Sequence, residues 1–98
     1  MRKRLYHTRN YKELIRLYGY WPDCPYCETP FYVHDGHVDH IVSIAGGGSN
    51  ASCNKVLVCA DCNKRKQCMS VEVYAKVLGR SPDAIEQTLV GLGKSLVG

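Results

Sequence analysis

Two cysteine pairs at Cys-x-x-Cys spacing, Cys24 with Cys27 and Cys59 with Cys62, are the most chemically committed residues of this 98-residue chain. Thiolates at that spacing lie on one side of a tight turn, and two such turns supply the four ligands of a tetrahedral zinc ion. A site closed by four protein ligands keeps no position open for a substrate. Its expected role is structural, with metal binding contributing directly to folding. Residues 28–58 separate the two pairs, more than a simple ribbon loop needs. The other residues with chemistry to offer fall there or just beyond: His37, the pair Asp39-His40, the run Gly46-Gly47-Gly48, Asn54, and Asn63 followed by Lys64, Arg65 and Lys66.

Six cysteines in so short a chain would suggest disulfides in a secreted protein, but the N-terminus MRKRLYHTR is basic and leads into no apolar signal core. Cys24-Pro25-Tyr26-Cys27 resembles the redox motif of glutaredoxins. That motif follows a buried strand and opens a helix, whereas Trp21-Pro22-Asp23 precedes it here and Pro30 follows, which disfavours redox catalysis. A nucleobase-deaminase zinc site requires His-x-Glu upstream of its Cys-x-x-Cys, and no such tripeptide occurs. Cys53 and Cys68 read as buried or free thiols, although either could act as a spare ligand.

The strings Val38-Asp39-His40-Ile41-Val42, Asn54-Lys55-Val56-Leu57-Val58-Cys59 and Asp61-Cys62-Asn63-Lys64-Arg65-Lys66, with the triple glycine between the first two, resemble the HNH motif of the ββα-metal nucleases. The cysteine pairs stand where a four-cysteine subgroup places its zinc knuckles. Asp-His-Ile-Val and Asn-Lys-Val-Leu are also similar to the HNH domain of CRISPR effectors. The resemblance covers about residues 24–66. It does not reach the N-terminal helix or the last thirty residues, and Ser43 stands where many members have proline.

The resemblance implies a small α+β fold: a ββα-metal, treble-clef-like core stapled by a four-cysteine zinc site, flanked by one N-terminal and two C-terminal helices. It implies Mg²⁺- or Mn²⁺-dependent hydrolysis of DNA phosphodiesters, leaving 5′-phosphate and 3′-hydroxyl ends. His titrates near neutral pH, so His40 is expected to take the proton from water. Neighbouring strand residues face opposite ways, which lets Asp39 hold the catalytic cation while His40 addresses the water. Asn63, with a hard carbonyl oxygen, is the second cation ligand, and Asn54 has the role of tying down the loop that aims His40. Lys64, Arg65 and Lys66 either hold phosphates or form a solvated helix face. His37 is a further phosphate contact or a supplement to the cation site, while His7 and His34 read as surface residues. The rival reading, a non-enzymatic zinc module that binds nucleic acid or protein, has no need of Asp39, His40 and Asn63 together.

The elements that must position these residues follow from pattern. Asn10 caps a helix to about Gly19, with Tyr11, Leu14, Ile15 and Tyr18 on its apolar stripe and Arg9, Lys12 and Arg16 on the other side. Phe31–Val42 reads as two extended pieces turning at Asp35-Gly36. Residues 44–50 form a flexible loop, 55–58 a strand and about 61–68 a helix. Ser70 caps a helix with Val71, Tyr74, Val77 and Leu78 as its stripe. Ser81-Pro82-Asp83 opens the last, carrying Ile85, Leu89, Leu92 and Leu96, with Gly91 and Gly93 weakening its end.

One domain, residues 1–98, fits the length. With 45% hydrophobic and 22% charged residues and no apolar run of membrane-spanning length, the expectation is a soluble, cytoplasmic protein that avoids membranes. Thirteen Lys and Arg against nine Asp and Glu modestly favour a polyanionic partner, which the resemblance makes DNA. One active site cuts one strand, so a monomer nicks, and double-strand cutting needs a weak homodimer or two encounters. Small HNH proteins are associated with phage genomes, mobile elements, restriction systems and phage DNA-packaging complexes.

Overall fold

Lys55-Val56-Leu57-Val58 lacks apolar–polar alternation, the pattern of a strand covered on both faces. It forms β2 (Lys55–Val58), and its last three residues are buried. The computed structural model describes residues 11–98; the basic segment 1–9, His7 and the Asn10 cap lie outside the described residues. β2 pairs antiparallel with β1 (His37–His40), and Asp39 stands opposite Val56 and His40 opposite Lys55. The pairing runs on past the strands through Ile41 N–H to Asn54 C=O at 2.9 Å. Helix α2 (Ala60–Lys66) follows β2 at once and packs on β1, which completes a ββα unit.

The hairpin expected at Asp35-Gly36 is not formed. Val33–Asp35 is a single 3-10 turn with Val33 buried, and the strand partner of β1 comes from residues 55–58 instead. Gly36 has φ −72°, so no left-handed turn is made there. Its missing side chain serves packing: a Cβ would meet Phe31 and Leu57 side-chain atoms at 2.7 and 2.8 Å.

Three further helices close the core around this unit. α1 (Tyr11–Tyr18) buries Leu14 and packs Ile15 and Tyr18 at the edge of the cluster, with Lys12 and Arg16 exposed. α3 (Val71–Leu78) begins at Ser70, whose hydroxyl accepts from Val73 N–H at 3.1 Å, and buries Val71, Tyr74 and Ala75. Val77, expected on its apolar stripe, is 48% exposed, because the helix rotates Ala75 inward in its place. α4 (Pro82–Gly91) starts with proline in its first turn and packs on α3 through Ile85 and Leu89. It stops at Gly91, short of Leu92, which is exposed. The chain then folds back: Ser95 N–H donates to Cys53 C=O at 2.8 Å and Lys94 Nζ to Ser52 C=O at 3.1 Å. Each fully buried Leu or Val side chain contributes roughly 1.5–3 kcal/mol of transfer free energy, and the Cα radius of gyration of 12.3 Å is that of a compact domain of this length.

A cysteine centre and a polar cavity joined at one carboxylate

The four cysteines of the two knuckles come together from distant parts of the chain, and their sulfurs all lie within 4.8 Å of one another. The Cys27 and Cys59 sulfurs are 3.8 Å apart, the edge of a tetrahedron whose metal–sulfur bonds are about 2.3 Å, as for zinc. None of the six cysteines is in a disulfide, and Cys53 and Cys68 are exposed and outside the cluster. Local structure sets the ligands. Cys59 occupies the cap of α2, where its sulfur accepts from Cys62 N–H at 3.4 Å. The Arg80 guanidinium, just after α3, donates to the Pro25 and Tyr26 carbonyls and holds the first knuckle from behind.

The thiols are electrostatically frustrated as they stand. A hydrogen bond from Cys62 lowers the Cys24 thiol to about 5. Being that donor, and buried, pushes Cys62 up, and burial pushes Cys59 up to about 11. One thiolate forms readily while others are opposed by lost solvation and like charge, and a divalent cation at the centre would remove that opposition. The Tyr74 hydroxyl fits the same picture. It is buried with no hydrogen-bond partner among the described residues, and Cys62 is the group whose sulfur acts on it. As a metal-bound thiolate, that sulfur would be an acceptor.

Asp39, His40 and Asn63 line one cavity of about 530 Å³, with Val38, Ser43, Ile44 and Ala45 and with Lys64, Gln67 and Cys68. β1 delivers the first two and the second turn of α2 the third. Asp39 is only 5% exposed. Its Oδ2 accepts from the Tyr26 hydroxyl at 2.7 Å and from Lys66 Nζ at 3.0 Å, and among the described residues no hydrogen bond to Oδ1 accompanies these. The Asn63 amide nitrogen donates to Val38 C=O at 3.4 Å, which points the amide across β1. His40 Nε2 lies 3.0 Å from Asn50 Oδ1. Burial and the adjacent Asp39 carboxylate hold the Tyr26 hydroxyl far above its ordinary value, so it stays a donor.

The model of the family described as HNH endonuclease matches residues 24–67. Residues 24–67 are thus similar to an HNH endonuclease domain. Over 57 residues the chain is 42% identical to the CRISPR-associated endonuclease Cas9 of Actinomyces naeslundii; the match takes in 57% of this chain and 5% of that protein. No solved structure matches significantly.

Within the matched segment, Asn54 is wholly buried, its amide oxygen is bonded and both amide N–H groups are used. Oδ1 accepts from Val42 N–H at 2.9 Å, and Nδ2 donates to Val42 C=O at 2.9 Å and Ser49 C=O at 2.7 Å. The side chain thereby clips both ends of the glycine loop that follows His40. Gly48 is required for so close an approach, since a Cβ there would sit 1.9 Å from the Val42 carbonyl oxygen. Ser43 closes the loop from within: its hydroxyl and carbonyl both accept from Gly46 N–H, at 3.0 Å each, and its carbonyl from Gly48 N–H at 2.8 Å.

The basic triple Lys64, Arg65 and Lys66 divides three ways. Lys64 is exposed and lines the cavity with His40, whereas Arg65 is exposed but lines a different cavity, beside Trp21 and Tyr32. Lys66 is not available to a phosphate. It is fully buried, paired with Asp39, bonded to His40 C=O at 3.0 Å and set 5.8 Å from the Tyr26 ring centroid. Its position on α2 turns it inward, where the Asp39 carboxylate compensates its charge. His37 and His34 are half-buried, and neither lines the cavity. Sequence reasoning missed Tyr26, Asn50, Arg80 and the inward turn of Lys66. Only Tyr26 carried a signal, its place between two knuckle cysteines, and nothing in the spacing named its partner.

Proposed function

We propose that this chain is a divalent-cation-dependent endonuclease that hydrolyses DNA phosphodiester bonds and, acting as a monomer, nicks one strand. What carries the reading is the lining of one cavity by Asp39, His40 and Asn63 within the segment that matches the HNH endonuclease family. His40 is the general base. Asn50 Oδ1 is an acceptor only, so Nε2 carries the imidazole proton and Nδ1 is left to take a proton from water. The water oxygen then bonds to phosphorus, the phosphorus–O3′ bond breaks, and the leaving oxygen gains a proton from solvent. Mg²⁺ or Mn²⁺, held by Asp39 Oδ1 and the Asn63 carbonyl oxygen, would neutralise the charge that develops on the phosphate. Asn54 fixes the loop behind His40, and Lys64 meets a neighbouring phosphate. The four cysteines hold a structural zinc ion that staples the first knuckle to α2. No helix among the described residues is long and apolar enough to cross a membrane.

The test is conversion of supercoiled plasmid to open circle in Mg²⁺ or Mn²⁺. Nicking should vanish when the cation is chelated, and should fall by about 10²- to 10⁴-fold in His40→Ala, the range for loss of a general base. Zinc content and thermal unfolding of the variant should stay those of the wild type. Wild-type cutting by His40→Ala would remove the base from the scheme.

A further inference from the structure

Tyr26 belongs to two sites at once. Its backbone lies between Cys24 and Cys27, inside the first knuckle, and Arg80 grips its carbonyl. Its side chain leaves the cysteine centre, is wholly buried, and ends with the hydroxyl 2.7 Å from Asp39 Oδ2. The ring is locked on the way: it meets Tyr74 edge-on at 5.7 Å and 81°, and Tyr74 is itself buried against Cys62. A space-filling phenylalanine would satisfy the core. The hydroxyl is needed only for the carboxylate.

We infer that Tyr26 is a positioning residue that couples the cysteine centre to the catalytic cation site, by pinning Oδ2 of Asp39 so that Oδ1 stays turned toward the cavity. This rests on the proposed function, in which Asp39 is a cation ligand. Lys66 shares Oδ2 but is a long, rotatable side chain of α2, whereas Tyr26 is a rigid strut whose base is fixed by two metal-binding cysteines. A knuckle that loosens therefore moves the hydroxyl and, through it, the carboxylate. Outer partners that orient a ligating carboxylate typically change metal affinity ten- to a hundredfold when removed.

The experiment uses the full zinc-loaded chain and Tyr26→Phe, with Mn²⁺ as the probe. Mn²⁺ affinity is read by electron paramagnetic resonance and, separately, by the Mn²⁺ concentration giving half-maximal plasmid nicking. Tyr26→Phe should keep full zinc content and weaken Mn²⁺ binding on the order of tenfold. The half-maximal Mn²⁺ concentration should rise by the same factor, while the rate at saturating Mn²⁺ stays within about twofold. Unchanged Mn²⁺ affinity in a variant with full zinc would overturn the coupling and leave Tyr26 as core filling. Should Tyr26→Phe fail to fold, the wild type alone decides. In a Mg²⁺ titration followed by nuclear magnetic resonance, the Tyr26 ring and Asp39 carboxyl signals should shift together, and a Tyr26 ring that stays still while Asp39 shifts would refute the inference. Failure of the underlying reading looks different: wild-type protein would bind no Mn²⁺, or His40→Ala would nick normally, whatever stands at residue 26, and the inference would fall with it.

Discussion

The cysteine centre and the polar cavity are linked through Tyr26 and are built on opposite principles. The centre brings four soft ligands within 4.8 Å of one another, so the protein completes the coordination by itself. The cavity brings an imidazole, an amide and one carboxylate into about 530 Å³, and its carboxylate already gives one oxygen to Tyr26 and Lys66. Such a set leaves positions for water and phosphate. A closed site holds a fold together, and an open one does chemistry. Both depend on the same few residues of the first knuckle, so damage to the closed site should spread to the open one but not the reverse.

Three perturbations separate the two sites, and they are taken here from the largest expected effect down. Stripping the zinc with a chelator strong enough to compete for thiolates should unfold the chain, since structural zinc sites supply about 10–16 kcal/mol of apparent binding energy. Circular dichroism followed against released zinc should show both changes with one midpoint, and a fully folded apo-protein would contradict the structural role. The next effect contrasts two lysines two residues apart. Lys66→Ala leaves the buried Asp39 charge without its cation and should cost about 3–5 kcal/mol in chemical denaturation. Lys64→Ala should leave stability unchanged within about 0.5 kcal/mol and instead reduce the salt dependence of DNA binding by about one phosphate contact. Equal stability losses would mean that the burial difference between them is wrong. The smallest effect is at Asn50. Removing its amide frees the half-buried imidazole, and Asn50→Ala should slow nicking about fivefold, the worth of one ordinary hydrogen bond, with the zinc content intact.

What the sequence made legible was whatever rests on local spacing. The Cys-x-x-Cys pairs, the unalternating run that is β2, the Ser70 cap and the proline opening α4 each depend on residues within a few positions of one another, and the structure has them where the pattern puts them. The closeness of Asp39, His40 and Asn63 was legible through the family pattern alone, because no periodicity joins residues of β1 to a residue of α2. What was illegible depends on contacts between distant segments. The Asp35-Gly36 turn looked like a hairpin because Asp-Gly favours one, yet β1 found a better partner in the fully buried β2. Lys66 looked like its neighbours Lys64 and Arg65, and only the docking of α2 on β1 turns it onto Asp39. α4 was expected to carry its stripe through Leu92 and Leu96, but the chain leaves the helix at Gly91 to bond the segment before β2.

The central claim is that one small chain carries two metal sites of different kind, a closed one of sulfur and an open one of oxygen donors beside His40. Anomalous scattering from a crystal grown with zinc and soaked in Mn²⁺, recorded on both sides of each metal's absorption edge, tests it directly. The account predicts a zinc peak at the centre of the Cys24, Cys27, Cys59 and Cys62 sulfurs and a separate manganese peak in the cavity against Asp39 and Asn63. Manganese found only among the sulfurs, or a cavity without manganese while the zinc site is full, would contradict it.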